Sequence, residues 1–185
     1  MQINYQSVIE HFYKEDDALR HILLVHSRQV ADRALLICRN HPELGLESDF
    51  VETAAMLHDI GIIQCDAPSI HCHGTQPYIC HGRLGAEMLR GLQVSGFDVE
   101  ALARVCERHT GAGLSEKEIV EQGLPLPHQD FLPETMAEQV ICDADKFYSK
   151  TKLGQEKTIA QAERSLAKFG KEGLSRFRRW VQLFE

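Results

Sequence analysis

The sequence has no apolar run approaching the roughly 20 residues that span a bilayer. Its first stretch, MQINYQSVIEHFYKEDD, lacks the basic-then-apolar layout of a secretory signal. The expectation is a cytoplasmic protein with no membrane partner. Val/Ile alternation is missing, so nothing reads as a half-buried sheet. A basic excess is missing as well: 20 Lys and Arg stand against 27 Asp and Glu. Binding to long nucleic acid needs a cationic face that displaces counterions, and the net charge of −7 argues against it. The six cysteines contain no C-x2-C pair and, without an export signal, read as free thiols. Cys38, Cys106 and Cys142 sit in apolar, helix-like surroundings and read as small core residues. No internal repeat or linker divides the 185 residues, enough for one self-sufficient core. The unusual count is the ten histidines.

The chain reads as helical almost throughout. In DDALRHILLVHSRQVADRALLICRN, Leu19, Ile22, Leu23, Val30, Ala34 and Ile37 recur at helical spacing, and His41-Pro42 ends the run. SDFVETAAMLHDIG begins at a Ser/Asp cap and stops at Gly61. A loop follows from about Ile62 to Cys80, broken by Pro68, Gly74 and Pro77. HGRLGAEMLRGL and DVEALARVCERH open two further helices, and SEKE has the capping-box form that starts a short one. After the Pro-rich GLPLPHQDFLP, Pro133 suits the first turn of a helix running through Lys150. Two more helices fill the C-terminus, the last with a basic-aromatic face that reads as packing surface, a subunit contact being left open. The fold class expected is all-α, in a single domain of residues 1–185.

Three segments bring chemistry. LHDIG places His58 and Asp59 side by side at the end of a helix. Adjacent helical positions diverge by about 100°, yet they can converge on one ion that lies near the helix end between the two side chains. An imidazole supplies a nitrogen, and a carboxylate supplies charge and can bridge two ions. His26 interrupts an apolar helical stripe upstream. Asp145 lies in the apolar QVICDADKFYSK downstream, where a buried carboxylate calls for a cation. Each alone has an ordinary structural explanation; taken together they shift the weight toward a shared cation.

The order His26, His58-Asp59, Asp145 resembles the HD superfamily of metal-dependent phosphohydrolases, particularly its HDIG-type members, and HDIG stands unaltered at residues 58–61. HGRLGAEMLR, ERHTGAGLS, LPLP and DADKFYSK are similar to segments of one group of small HDIG proteins. The resemblance therefore runs from about His21 to Lys150. It implies an HD core at about 17–150, followed by additional C-terminal helices at about 154–184. It further implies a first metal held by His26, His58 and Asp145, a bridging Asp59, and a second metal held by His81 and His109. Cys-His-Gly occurs twice, around His73 and His81. His81 has the family context, Gly-x-x-Gly-Ala opening a helix, whereas Thr, Gln and Pro follow soon after His73. Asp143 competes with Asp145, but two residues along a helix point to nearly opposite sides, and the family pattern favours Asp145. Asp143 is then a supporting or surface residue.

Four imidazoles and two carboxylates suit transition metals better than Mg or Ca. The expected cofactors are two divalent ions, iron first, with manganese, zinc, cobalt or nickel as alternatives. They would activate water for attack on a phosphoester or phosphoanhydride, with Asp59 sharing in that activation. Lys146 is given a catalytic and phosphate-contacting role, and Arg83 a phosphate contact. The substrate expected is a small phosphorylated compound, a nucleotide foremost; the RHTG segment is similar to that of HD enzymes splitting symmetrical dinucleoside tetraphosphates. No Gly-Tyr-Pro motif follows the HD pair, which disfavours cyclic-di-GMP hydrolysis. Alternatives are a mononuclear nucleotidase, a non-catalytic nucleotide sensor and, less so, a diiron oxygenase. A rival site is zinc held by Cys65, His71, Cys72, His73 and Cys80, and a third reading makes that loop a lid whose His71 or His73 touches substrate. Homo-oligomerisation is left open.

Overall fold

The computed structural model describes residues 4–92 and 98–185. It is all-α apart from one miniature hairpin. The helices are α1 Tyr5–Phe12, α2 Ala18–Asn40, α3 Ser48–Leu57, α4 His81–Arg90, α5 Val99–Arg108, α6 Glu116–Gln122, α7 Met136–Lys146, α8 Ile159–Ala167 and α9 Lys171–Phe184. Between α3 and α4 the chain makes short 3-10 turns and a two-stranded antiparallel hairpin, Asp66–Ala67 against Cys72–His73. Both α1 and this hairpin escape the periodicity reading. The strands are two residues long, too short for alternation to show.

Local chemistry fixes the helix ends. The Asp17 carboxylate accepts from the Arg20 amide at the start of α2, and Ser115 with Glu118 forms the capping box of α6. A second box, Thr135 with Glu138, starts α7. Pro133 accordingly precedes this helix instead of lying in its first turn, and α7 stops at Lys146, with Lys150 in the turn beyond it.

Helices α2, α3, α5 and α7 pack on one another, α4 lies along α5, and α9 closes over α7. Leu23, Val30, Val51, Leu57, Leu89, Ile141 and Phe147 are buried in one apolar cluster with Phe177, Trp180 and Phe184 of α9. The C-terminal helices thus share the core of the preceding ones. Tyr13, 3% exposed, ties down the turn after α3: its hydroxyl donates to the Ile60 carbonyl at 2.8 Å and accepts from the Ile63 amide at 3.2 Å.

Gly61 explains the glycine of HDIG sterically. A Cβ there would stand 2.2 Å from the His81 carbonyl oxygen and 2.3 Å from the Gly85 amide nitrogen. The turn after Asp59 therefore touches the backbone of α4 directly, and backbone cannot move aside as a flexible side chain would. Gly61→Ala is expected to cost about 3 kcal/mol or more, the upper range for overpacking, and to push His81 away from Asp59. Thermal denaturation and metal content check this; an alanine variant as stable as the parent would remove the explanation.

Candidate metal centre

Six side chains from five places in the sequence meet at the centre of the bundle. His26 comes from the middle of α2, His58 and Asp59 from the end of α3, His81 from the start of α4, His109 from the end of α5, and Asp145 from the last turn of α7. His58 keeps helical dihedrals, whereas Asp59 turns out of the helix at φ −104°, ψ 10°. That exit brings two neighbouring side chains onto one point.

The imidazoles are oriented from behind. His58 Nδ1 donates to the Ala55 carbonyl at 2.6 Å, His81 Nδ1 to Tyr78 at 2.7 Å, and His109 Nδ1 to Cys106 at 2.7 Å. A carbonyl only accepts, so each Nδ1 carries a proton, and in the neutral form that a metal requires each ring would turn its Nε2 lone pair inward. His81 Nε2 and His109 Nε2 are 3.0 Å apart, two acceptors face to face with no proton to share. A cation between them resolves the conflict.

The spacing fits metal ions quantitatively. Ligand atoms about 2.1 Å from an ion lie about 3.0 Å apart at an octahedral edge and about 3.4 Å apart at a tetrahedral one. In the first group His26 Nε2 is 3.0 Å from Asp145 Oδ1 and 3.1 Å from Asp59 Oδ2. His58 Nε2 is 3.1 Å from Asp59 Oδ2 and 3.5 Å from Asp145 Oδ1. In the second, Asp59 Oδ1 is 3.4 Å from His81 Nε2 and 3.3 Å from His109 Nε2. Asp59 thus gives one oxygen to each group. The second group supplies three protein donors, which leaves coordination positions for water or substrate.

The site's charge balance is as specific. Burial opposes ionisation of Asp59, but the charges of His58 and Lys150 hold its carboxyl well below the usual range. Asp145 is likewise depressed against its burial, by Lys146 and by hydrogen bonds from His26 and His58. Burial would discharge His58, yet Asp59 and Asp145 lift it to about 9. His81 is pushed down to about 3 by burial and the adjoining His109. In the metal-free chain His58 therefore carries a proton, which metal binding would expel.

Lys146 donates to Asp145 Oδ2 at 2.6 Å and to the His109 carbonyl at 3.0 Å, linking a residue of each group. Lys150, which the sequence reading does not single out, reaches further in: its ammonium stands 2.6 Å from Asp59 Oδ2. A second lysine four residues after Lys146 is the signal that could have drawn attention to it. A cavity of about 680 Å³ opens in front of these groups. His26, His81, His109 and Asp145 line it with Lys146, Lys150 and Lys157, and Leu114, Leu124, Leu166 and Phe169 add apolar surface.

The remaining expected residues lie elsewhere. Arg83 is absent from the cavity lining and pairs with Glu87 one turn along α4. Two residues from His81 is about 200° around the helix, so an inward His81 turns Arg83 away. Asp143 is fully buried, not at the surface, and neither carboxylate oxygen has a hydrogen-bond partner among the described residues. Burial and the charge of Glu185 raise it to about 7. The cysteine-histidine loop does not gather into a zinc site. Among the described residues the groups of three or more clustered metal donors are the two built around Asp59. Cys65, Cys72 and Cys80 are buried apart from such a group, and His71 and His73 are exposed. Of the two Cys-His-Gly copies, the one containing His81 reaches the centre.

Comparison with known proteins gives the family. A protein of Methanocaldococcus jannaschii, named only as uncharacterised, is 36% identical over 154 residues, covering 83% of this chain and 79% of its own. Two archaeal proteins named tRNA (cytidine(56)-2'-O)-methyltransferase also match. The Picrophilus torridus protein is 32% identical over 56% of this chain, and the Thermoplasma volcanium protein 29% identical over 70%. The match takes in only 25% and 32% of those two proteins. No solved structure gives a significant match. The HD domain profile matches residues 23–149, the stretch that carries all six converging side chains. The chain belongs to the HD-domain family.

Proposed function

We propose that this chain is a dinuclear metal-dependent phosphohydrolase that cleaves a phosphoester or phosphoanhydride of a small phosphorylated compound, a nucleotide foremost. Family membership and the buried histidine–aspartate cluster point to a metal-dependent hydrolase. The observation that carries the finer reading is the division of Asp59, one oxygen toward His26 and His58 and the other toward His81 and His109. Iron is the first candidate metal, with manganese, zinc, cobalt and nickel as alternatives suited to the same donors.

Two bound ions would supply positive charge for phosphate oxygens and make water a competent nucleophile near neutral pH. The protein's own part is to orient and to hold charge. Backbone carbonyls lock three imidazoles toward the centre. Lys146 steadies Asp145, and Lys150 brings an ammonium to the cavity wall where phosphate oxygens would lie. The apolar lining residues Leu114, Leu124, Leu166 and Phe169 suit a base or another flat, poorly hydrated group.

The methyltransferase name borne by two relatives is not carried over. Most of each of those proteins lies outside the match, and this chain has a net charge of −7 where tRNA would demand a basic face.

Turnover assays across nucleotide mono-, di- and polyphosphates, with protein loaded with Fe²⁺ or Mn²⁺, test the reading. Phosphate release that depends on added metal and is lost on chelation is the expected result. Tight nucleotide binding without product at every metal loading would instead make the chain a sensor.

A further inference from the structure

A second cleft, of about 390 Å³, adjoins the metal cavity and shares Ser149, Lys157 and Ser165 with it. Lys152, Arg164 and Lys168 line it together with Lys157. It is built from residues 149–168, almost wholly beyond the stretch that matches the HD profile.

Its charge departs from that of the whole. Residues 146–168 hold six Lys and Arg against Glu156 and Glu163, while the other 162 residues hold fourteen against twenty-five Asp and Glu. Both carboxylates of the segment are already engaged, Glu156 by Arg33 and Glu163 by Arg178. Among the described residues, eight of the twenty basic side chains make no ion pair, and four of the eight are Lys152, Lys157, Arg164 and Lys168. Glu156 also lines the cleft, but its carboxylate is turned to Arg33, so the four cations there have no carboxylate partner of their own. Lys157, between the two cavities, is held by the Lys146 and Tyr148 carbonyls, and burial first, then the charges of Lys146 and Lys150, lower its pKa. An anionic ligand would give these cations the counter-charge they lack.

We infer that this cleft receives a second phosphate of the substrate, so that the chain acts on compounds carrying at least two phosphate groups. One phosphate lies in the metal cavity, and the next passes Lys157 to meet Lys152, Arg164 and Lys168. This rests on the phosphohydrolase reading for the first phosphate, while the cleft itself is read from its own residues. The second phosphate could belong to a nucleoside polyphosphate or be the first diester of a short 5'-phosphorylated oligonucleotide.

Calorimetry on metal-loaded protein separates these cases with three hydrolysis-resistant probes. They are adenosine 5'-monothiophosphate, the β,γ-imido analogue of ATP, and a 5'-thiophosphorylated diadenylate with a phosphorothioate linkage. The intact chain is expected to bind one or both longer probes about tenfold more tightly than the monothiophosphate. The triple variant Lys152→Ser, Arg164→Ser, Lys168→Ser should lose that gain and keep its affinity for the monothiophosphate. All three side chains are exposed, so the fold should persist, as circular dichroism would show. A gain for the imido analogue alone assigns the site to nucleoside polyphosphates, and a gain for the diadenylate alone to oligonucleotide ends. Equal affinity for all probes, or a gain retained by the triple variant, overturns the inference. Because binding is the readout, the affinity pattern can hold in a chain that turns nothing over, in which case only the hydrolase reading fails.

Discussion

Asp59→Ala is expected to bind metal at neither position, and to lose activity with it. The intact chain should hold about two ions, and His81→Ala about one, the loss confined to the second group. Asp59 differs because both groups depend on it, through Oδ2 and Oδ1 respectively. Removing an outer hydrogen-bond partner of a metal ligand already costs about 10–100-fold in affinity or activity, so deleting a ligand common to two ions should exceed that range for each. The variant also takes a buried anion from His58 and Lys150. His58 should then lose one of the two carboxylates that lift it, and its pKa in the metal-free chain should fall. Metal analysis of protein purified without chelator gives the answer. An Asp59→Ala protein that still carries an ion in the His26, His58 and Asp145 group would show that Asp59 is no shared ligand, and the dinuclear reading would fall with it.

Much of this site can be read from the sequence because its parts are tied to helix ends. His58-Asp59 precedes a glycine stop, His81 opens a helix, and His109 closes one. Those boundaries are set by local chemistry that the residue order displays. Gly61 is legible as a stop, but its contact with α4 is not, since the His81 carbonyl and Gly85 amide approach it only in the folded chain. Arg83 shows the opposite failure. Adjacency to a ligand suggests a site residue, but on a helix two positions carry the side chain to the far side. Lys150 was hidden for a related reason. Reading α7 through to residue 150 puts it on a helix, whereas the helix ends at Lys146 and the following turn redirects the ammonium inward. Asp143 had the right divergence from Asp145 but not the right surroundings, because α9 and the chain around Glu185 cover that face. The hairpin and α1 left no periodic trace, and Tyr13 became visible as a clamp only through hydroxyl contacts 47 and 50 residues away.

Lys150→Met should change the metal-free and metal-loaded proteins in opposite directions. Without metal, the Lys150 ammonium is a counter-charge for Asp59 at 2.6 Å, with 12% and 0% of the two side chains exposed. Breaking a buried pair from one side costs about 3–5 kcal/mol. His58 also faces Asp59, so the lower end applies, about 3 kcal/mol, or about 6–12 °C in Tm for a chain of this size. With metal, the same oxygen would serve as a ligand, and an ammonium against it would be a competing cation. Removing Lys150 should therefore tighten metal binding. The Tm increase on adding Mn²⁺ should be larger in the variant than in the parent, since the metal replaces the missing charge and no longer displaces a resident one. Substrate affinity should move the other way, because the cavity wall loses a cation beside the phosphate position. Melting curves with and without Mn²⁺, set beside metal titrations of both proteins, distinguish this from simple loss of packing. Packing loss lowers Tm equally in both states and leaves metal affinity unchanged. An equal Tm shift with unchanged metal affinity would mean that Lys150 only fills space, whereas a widened shift with tighter binding identifies it as the cation that stands in for the metal on Asp59.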